Sequence, residues 1–264
     1  MKDVAPIKRR LERIIAKERF GVKDLDKCPD DWKKKIQAAA ELLAYKQAII
    51  PYPYYNYDIG SFNGKKDGEN IVSPSIIEKA RSSLIRYCWG ETDGNKIIDN
   101  PENQDLLSSY SVMSMRRRLG HNVVIYSASS DRPTGKTLCA SIIMQEAIFS
   151  RTKINHYCDT YWWLEYSNLV KLLSDDDNLA SIIQSVDWVV IDNIDEKRIT
   201  SDKSQVYLSS LFDSFFFQRL EDRLPTILVF RCDINSLPPN RLGLAVRRIL
   251  EDKNTTIINL TDNR

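Results

Sequence analysis

A short apolar run, Asn122-Val123-Val124-Ile125-Tyr126, leads through Ser130-Asp131-Arg132-Pro133-Thr134-Gly135-Lys136-Thr137 into a helical pattern from Leu138 to Phe149. No other feature constrains the chain as much. Strand, tight loop, Gly-Lys-Thr and helix, in that order, are the setting of a phosphate-binding P-loop. There, backbone N–H groups and the positive end of a helix cradle phosphates. The lysine reaches the outer phosphates and the threonine hydroxyl holds Mg²⁺. The expected ATP-binding residues are Ser130, Asp131, Arg132, Pro133, Thr134, Gly135, Lys136, Thr137 and Leu138. Two of them are unusual. Ser130 stands where the first glycine normally lies, and Pro133 has no N–H to donate and a fixed φ.

A second element supports the first. Trp188-Val189-Val190-Ile191-Asp192 is an apolar strand ending in an acid. Beside a P-loop such an acid helps to hold Mg²⁺, so Thr137 and Asp192 form the expected metal pair. Hydrolysis also needs a group that orients the attacking water and takes its proton. The residue after Asp192 is Asn193, whose amide can position a water but cannot accept a proton. Asp195 and Glu196 lie close enough in sequence to stand in.

From residue 122 onward, strand and helix patterns alternate. Strands are expected at 122–128, 154–159, 187–193, 225–231 and 255–260. Helices are expected near 137–150, 162–174, 178–185, 204–221 and 239–250. Such alternation implies an α/β fold, a parallel sheet with helices on both faces. Upstream, apolar spacing predicts a helix from Asp30 toward Ile49, and another from Ser73 through Ile85 with Pro74 at its start. Residues 51–72, rich in tyrosine, proline and glycine, read as a linker or long loop. The expected organisation is a helical partner-binding region over 1–50, the linker over 51–72, and an ATPase domain over 73–264 with a helical lead-in over 73–120. Arg116-Arg117-Arg118 closes a helical stretch; it is either a solvated helix end or a contact to nucleic-acid phosphates.

The whole-chain numbers bound the function class. At 42% hydrophobic and 28% charged, the 264 residues can bury a sizeable core. A net charge of +2 does not describe a uniformly basic, nucleic-acid-coated surface, although a local patch fits within it. Five scattered cysteines without a C-x-x-C pair indicate neither a zinc site nor a disulfide framework. The charged N-terminus lacks the apolar segment of a signal peptide, and no apolar run is long enough to span a membrane. A cytoplasmic protein with no membrane partner is expected.

From Asn122 to Arg264 the chain resembles the AAA+ ATPases of the DnaC/DnaI helicase-loader group and their IstB- and TnsC-like relatives, as a divergent member. Four blocks carry the resemblance: the P-loop; Tyr166 to Leu173 followed by Leu179 to Ile183; Val189 to Ile194 joined to Leu211–Arg219 and Leu224-Pro225-Thr226; and Arg241 to Arg248 with the terminal Asp262-Asn263-Arg264. The resemblance implies a P-loop NTPase (AAA+) sheet, ATP and Mg²⁺ as ligands, and weak or partner-stimulated ATPase activity. It places Lys136, Asp192 and Asn193 in the catalytic group. It implies an arginine finger at Arg247 or Arg248, a cis sensor at Arg264, and a sensor position at Arg231. A finger reaching a neighbour's γ-phosphate also makes physical sense, since charge concentrates there during transfer. The leading function is an ATP-dependent helicase loader in DNA replication. It would assemble as a homo-oligomer on single-stranded DNA and engage a hexameric replicative helicase. The alternatives are a transposition regulator that binds double-stranded DNA and a transposase, or a non-hydrolysing ATP-bound scaffold. Such divergence suits a phage or mobile-element protein.

Overall fold

The computed structural model describes residues 8–9, 12–13, 16–17, 21, 27–47, 49–51, 54, 59–62, 65–66, 69–70, 72–90, 92–93, 96–97, 112–128, 134–150, 159–175, 177–195, 205–236 and 244–262. The chain divides into two compact units, Met1–Tyr55 and Asn56–Arg264. In the first, helix α1 spans Asp30–Gln47. Asp30 and Asp31 in its first turn favour the positive end of the helix dipole. Ile36 and Ala40, four residues apart and on one face, are fully buried.

In the second unit, a 3-10 turn at Ile59–Ser61 and a short antiparallel pair, Lys65–Lys66 with Glu69–Asn70, precede α2, Pro74–Trp89; a second short pair, Thr92–Asp93 with Lys96–Ile97, separates it from α3, Val112–Leu119. Pro74 fits the first turn of α2, where its missing N–H costs nothing, and Gly90 ends the helix with φ 83°. The expected helical stretch before residue 112 lies outside the described residues. Then come β1 (Asn122–Tyr126), α4 (Lys136–Ser150), β2 (Tyr161–Glu165), α5 (Tyr166–Asp175), α6 (Asp177–Gln184) and β3 (Trp188–Ile194). The chain continues through α7 (Gln205–Glu221), β4 (Thr226–Phe230), α8 (Leu244–Glu251) and β5 (Thr255–Asn259). The five strands form one parallel sheet in the order β2-β3-β4-β1-β5.

One strand lies elsewhere than expected. The second strand is Tyr161–Glu165, inside the range read as helix from 162, while residues 154–158 lie outside the described residues. Tyr-Trp-Trp-Leu suits a pleated, half-buried surface better than a helix, and α5 begins only at Tyr166. The apolar spacing through this region is compatible with either structure, and pairing to β3 decides between them.

Alternation along the strands sorts the core into two layers. Val124, Leu164, Val189, Ile191 and Leu228 project to the face covered by α5 to α8, with Leu169, Ile183, Phe212, Phe215, Phe216 and Ile249. The opposite face receives α4; there Tyr161 donates its hydroxyl to the Ala147 carbonyl at 3.2 Å. Trp89 of α2 donates to Glu146 of α4 at 3.2 Å, joining those two helices.

A buried arginine ties together the end of the sheet where the strands begin. Arg219 of α7, 1% exposed, donates from Nε to Thr226 Oγ1 at 2.9 Å. Its Nη1 donates to the carbonyls of Ile183, Gln184 and Val186, and its Nη2 to Pro225. Those carbonyls belong to the ends of α6, β3 and β4, so one guanidinium fixes three elements. Nearby, Gly120 adopts φ 68°, and a Cβ there would meet the backbone of Arg223 at 2.8 Å. Only glycine allows α3 to end so close to the end of α7. Among the described residues, no helix is long and apolar enough to cross a membrane.

Candidate functional site

At the carboxyl ends of the strands, β1 passes through Ser127 into the P-loop. Its residues Ser130, Asp131, Arg132 and Pro133 lie outside the described residues, as does Arg264. Thr134 to Leu138 are placed. Gly135 has φ 84°, a backbone that suits glycine, and a Cβ there would stand 3.3 Å from the Phe62 ring. Lys136 and Thr137 follow in the first turn of α4, where backbone N–H groups have no intrahelical acceptors. That end of the helix is a ready anion site.

The lysine is held under that end. Lys136 is 9% exposed, and its Nζ donates to Ser127 Oγ at 2.5 Å and Thr134 Oγ1 at 3.1 Å. Burial, reinforced by the positive charge of Arg231, pushes its pKa down to about 8, while Asp192 pulls the other way. A buried ammonium whose described hydrogen bonds go to two neutral hydroxyls is short of negative charge.

Asp192 closes the site from β3. It is 3% exposed; its Oδ1 accepts from the Asn193 backbone N–H at 2.7 Å and from Thr137 Oγ1 at a long 3.4 Å. Burial raises its carboxyl above the ordinary value, and the charge of Glu165 adds to this. The two hydrogen bonds and Lys136 oppose it. The β3–β4 pairing slips between Ile191 and Ile194, and Asn193 takes φ 60°. Asparagine tolerates that left-handed backbone better than most residues. Irregularities of this kind re-aim side chains beside active sites. Asn193 is half-buried, as is Asp195, and Glu196 lies outside the described residues.

Arg231 stands exposed just past β4, and its backbone N–H donates to the Ile194 carbonyl at 2.7 Å. Its effect on Lys136 places the two charges in one neighbourhood. P-loop, β3 acid and Arg231 thus converge at the carboxyl edge of a parallel sheet, where open α/β sheets bind ligands. The fold is an open α/β one: a five-stranded parallel sheet whose first strand leads through a Gly-Lys-Thr turn into a helix at the carboxyl edge.

Among solved structures, the chain is similar to the crystal structure of DnaI, at 14% identity over 82% of this chain and 96% of that one, with a TM-score of 0.47. It is similar to a candidate primosome component from Streptococcus pyogenes serotype M3, at 11% identity over 81% of this chain and 92% of that one, TM-score 0.45. It is also similar to AMPPCP-bound DnaA from Aquifex aeolicus, at 14% identity over 62% of this chain and 48% of that one, TM-score 0.40. No protein-family profile and no curated protein matches the chain.

The remaining expected residues are scattered around this centre. On α8, Arg248 is exposed with its guanidinium 4.6 Å from the centre of the Phe217 ring, and Arg247 is half-buried. The arginine triplet of α3 does not form one basic surface. Arg116 is 5% exposed and donates to the carbonyls of Tyr87 and Arg86, with His121 Nδ1 at 2.5 Å. Arg117 is paired with Asp187 through Nε at 2.7 Å and through Nη2. Only Arg118 of the three is exposed. Two of the three candidate phosphate contacts are therefore taken up inside the domain, because α3 lies against α2 and the start of the sheet. Sequence reading passed over Ser127 and Glu165. Ser127, directly after β1, has a motif-level signal in its position. Glu165 has none, because only strand pairing brings it to Asp192.

Proposed function

We propose that this protein is an ATP-dependent helicase loader acting in DNA replication. It binds ATP with Mg²⁺ at the P-loop, assembles as a homo-oligomer on single-stranded DNA and engages a hexameric replicative helicase. The observation that carries the nucleotide reading is the buried Lys136 ammonium at the opening turn of α4, with Thr137 and Asp192 beside it. The donor set fits Mg-ATP. The under-neutralised lysine and the free N–H groups suit a polyphosphate, and a hydroxyl next to a carboxylate suits a hard cation. In this reading Lys136 holds the outer phosphates and Thr137 and Asp192 hold the metal. The metal would screen the phosphate charge.

The loader reading is supported by the sequence blocks that resemble the DnaC/DnaI group. It gives Arg247 or Arg248 the role of finger toward a neighbouring subunit, Arg264 that of sensor in cis, and Arg231 a phosphate contact. Residues 1–50 would grip the helicase, 51–72 would link, and 73–264 would form the ATPase domain. Arg118 is the member of the α3 triplet left to meet DNA. Lys136→Ala tests the core of the proposal. Titration with a fluorescent ATP analogue should show affinity reduced at least about 100-fold, the loss of one buried charged hydrogen-bond partner. Helicase capture by the full-length variant should persist. Unchanged nucleotide affinity would remove the assignment.

Asn193 favours a second reading, a scaffold that binds ATP without cutting it, because its amide cannot take a proton. Multiple turnovers per protein chain, measured as phosphate release with single-stranded DNA present, would eliminate the scaffold.

A further inference from the structure

The residue after Asp192 lacks a proton acceptor, but the neighbouring strand has one at the same height. The register of the parallel pair sets Glu165, the last residue of β2, opposite Asp192. Register partners in a parallel sheet project to the same face. A separate contact identifies that face. Tyr161, an even number of residues earlier on β2, reaches the Ala147 carbonyl of α4 with its hydroxyl. Positions 161, 163 and 165 therefore face α4, the helix that opens with Lys136 and Thr137. Leu164 points the other way, into the core with Val189 and Ile191. Adjacent strands are about 4.8 Å apart, so the two positions stand side by side on that face. Asp192 feels the Glu165 charge. Their surroundings differ: Asp192 is buried and hydrogen-bonded, and Glu165 is exposed at the strand end. Two carboxylates in unlike environments divide the work, one holding charge in place and the other exchanging a proton with water.

We infer that Glu165 is the catalytic residue that accepts the proton of the attacking water when this site hydrolyses ATP, in place of the carboxylate missing at position 193. The inference rests on the ATP site proposed above. In the step it describes, a lone pair of the water oxygen forms a bond to the γ-phosphorus. The bond from that phosphorus to the bridging oxygen breaks, and its electron pair leaves with ADP. The water proton passes to the Glu165 carboxylate, which returns it to solvent. Asn193, one position past Asp192 on the neighbouring strand, orients the same water by hydrogen bonding without taking the proton. The pair thus exchanges the usual places of amide and acid across two strands.

The test uses the full-length chain with single-stranded DNA and saturating Mg-ATP. Glu165→Gln should bind the ATP analogue within about threefold of the parent, yet turn ATP over about 100-fold more slowly or worse, the usual scale for loss of a general base. Placing a carboxylate back with the double change Glu165→Gln and Asn193→Glu should restore at least tenfold of the lost rate. Glu165→Asp, which keeps the charge but shortens the reach, provides a second variant should the amide prevent folding; it should fall between parent and Gln. Turnover by Glu165→Gln within threefold of the parent would overturn the inference. So would a parent protein that binds ATP and never hydrolyses it. Failure of the parent to bind ATP would appear in the titration, before any rate is measured, and would instead overturn the site itself.

Discussion

Strand β3 has a charged cluster at each end, and the two are built on opposite terms. Where the strand begins, Asp187 takes Arg117 and both donors of Thr160, and Arg219 spends all three nitrogens on carbonyls and a hydroxyl. Where the strand ends, Lys136 rests on two neutral hydroxyls and Asp192 on one backbone N–H and a long threonine contact. Arg219 at one end is as deeply buried as Lys136 and Asp192 at the other, so burial alone does not mark a functional site. The difference lies in satisfaction. The first cluster has internal partners for its charges and holds elements together. Among the described residues, the second leaves part of its donor and acceptor capacity unused.

If this division is right, damage at the first end reads out as stability and damage at the second as chemistry. The largest effect should come from Arg219→Ala, which leaves four carbonyls and a buried hydroxyl without their donor. A loss of about 3–5 kcal/mol in denaturant unfolding is expected. A loss below about 1 kcal/mol would erase the contrast.

Asp187 gives the next effect. Burial opposes its ionisation, but hydrogen bonds from Thr160 and the Arg117 charge overcome this and hold its carboxyl below the ordinary value. Its folded value is thus lower than its unfolded one. The stability it contributes is complete above roughly pH 4 and is lost as pH falls through the folded value. Asp187→Asn should cost about 1.5–3 kcal/mol at neutral pH and flatten that part of the acid-unfolding curve. An unchanged acid limb would show that the charge is not what the pair contributes.

At the other end the pH effect has the opposite sense and appears in binding. Lys136 has been pushed down to about 8. A bound polyphosphate favours the ammonium, so above that pH binding must take up a proton. ATP affinity should be level below pH 8 and fall by up to about tenfold per unit above it. Calorimetry in buffers of different ionisation enthalpy would detect the proton uptake. The smallest effect belongs to Arg118, exposed and outside both clusters. Arg118→Ala should move stability by less than about 0.5 kcal/mol, measured by thermal unfolding.

Much of the second end was legible along the chain. Gly135-Lys136-Thr137 and Asp192 sit in patterns whose chemistry is local, and alternation after residue 122 is enough to predict the parallel sheet. What was hidden depends on pairing. Tyr161–Glu165 reads as helix or strand until β3 lies beside it, and so Glu165 carries no mark of its neighbour. Arg219 is visible as the last basic residue of a helix, a place where arginine usually meets solvent. Its burial follows from four carbonyls contributed by three elements. The Arg116–Arg118 triplet misleads for the same reason. A run of like charges says nothing about which member turns inward, and here the helix sends Arg116 between α2 and His121.

The contact of Gly120 with Arg223 has a mechanical consequence. It is backbone against a residue's own Cα, with no rotamer to change and no side chain to repack. At that end the separation of the two helical layers is therefore set like a fixed stop. A methyl group added at position 120 would wedge that stop, and the Arg223 backbone would have to move away to admit it.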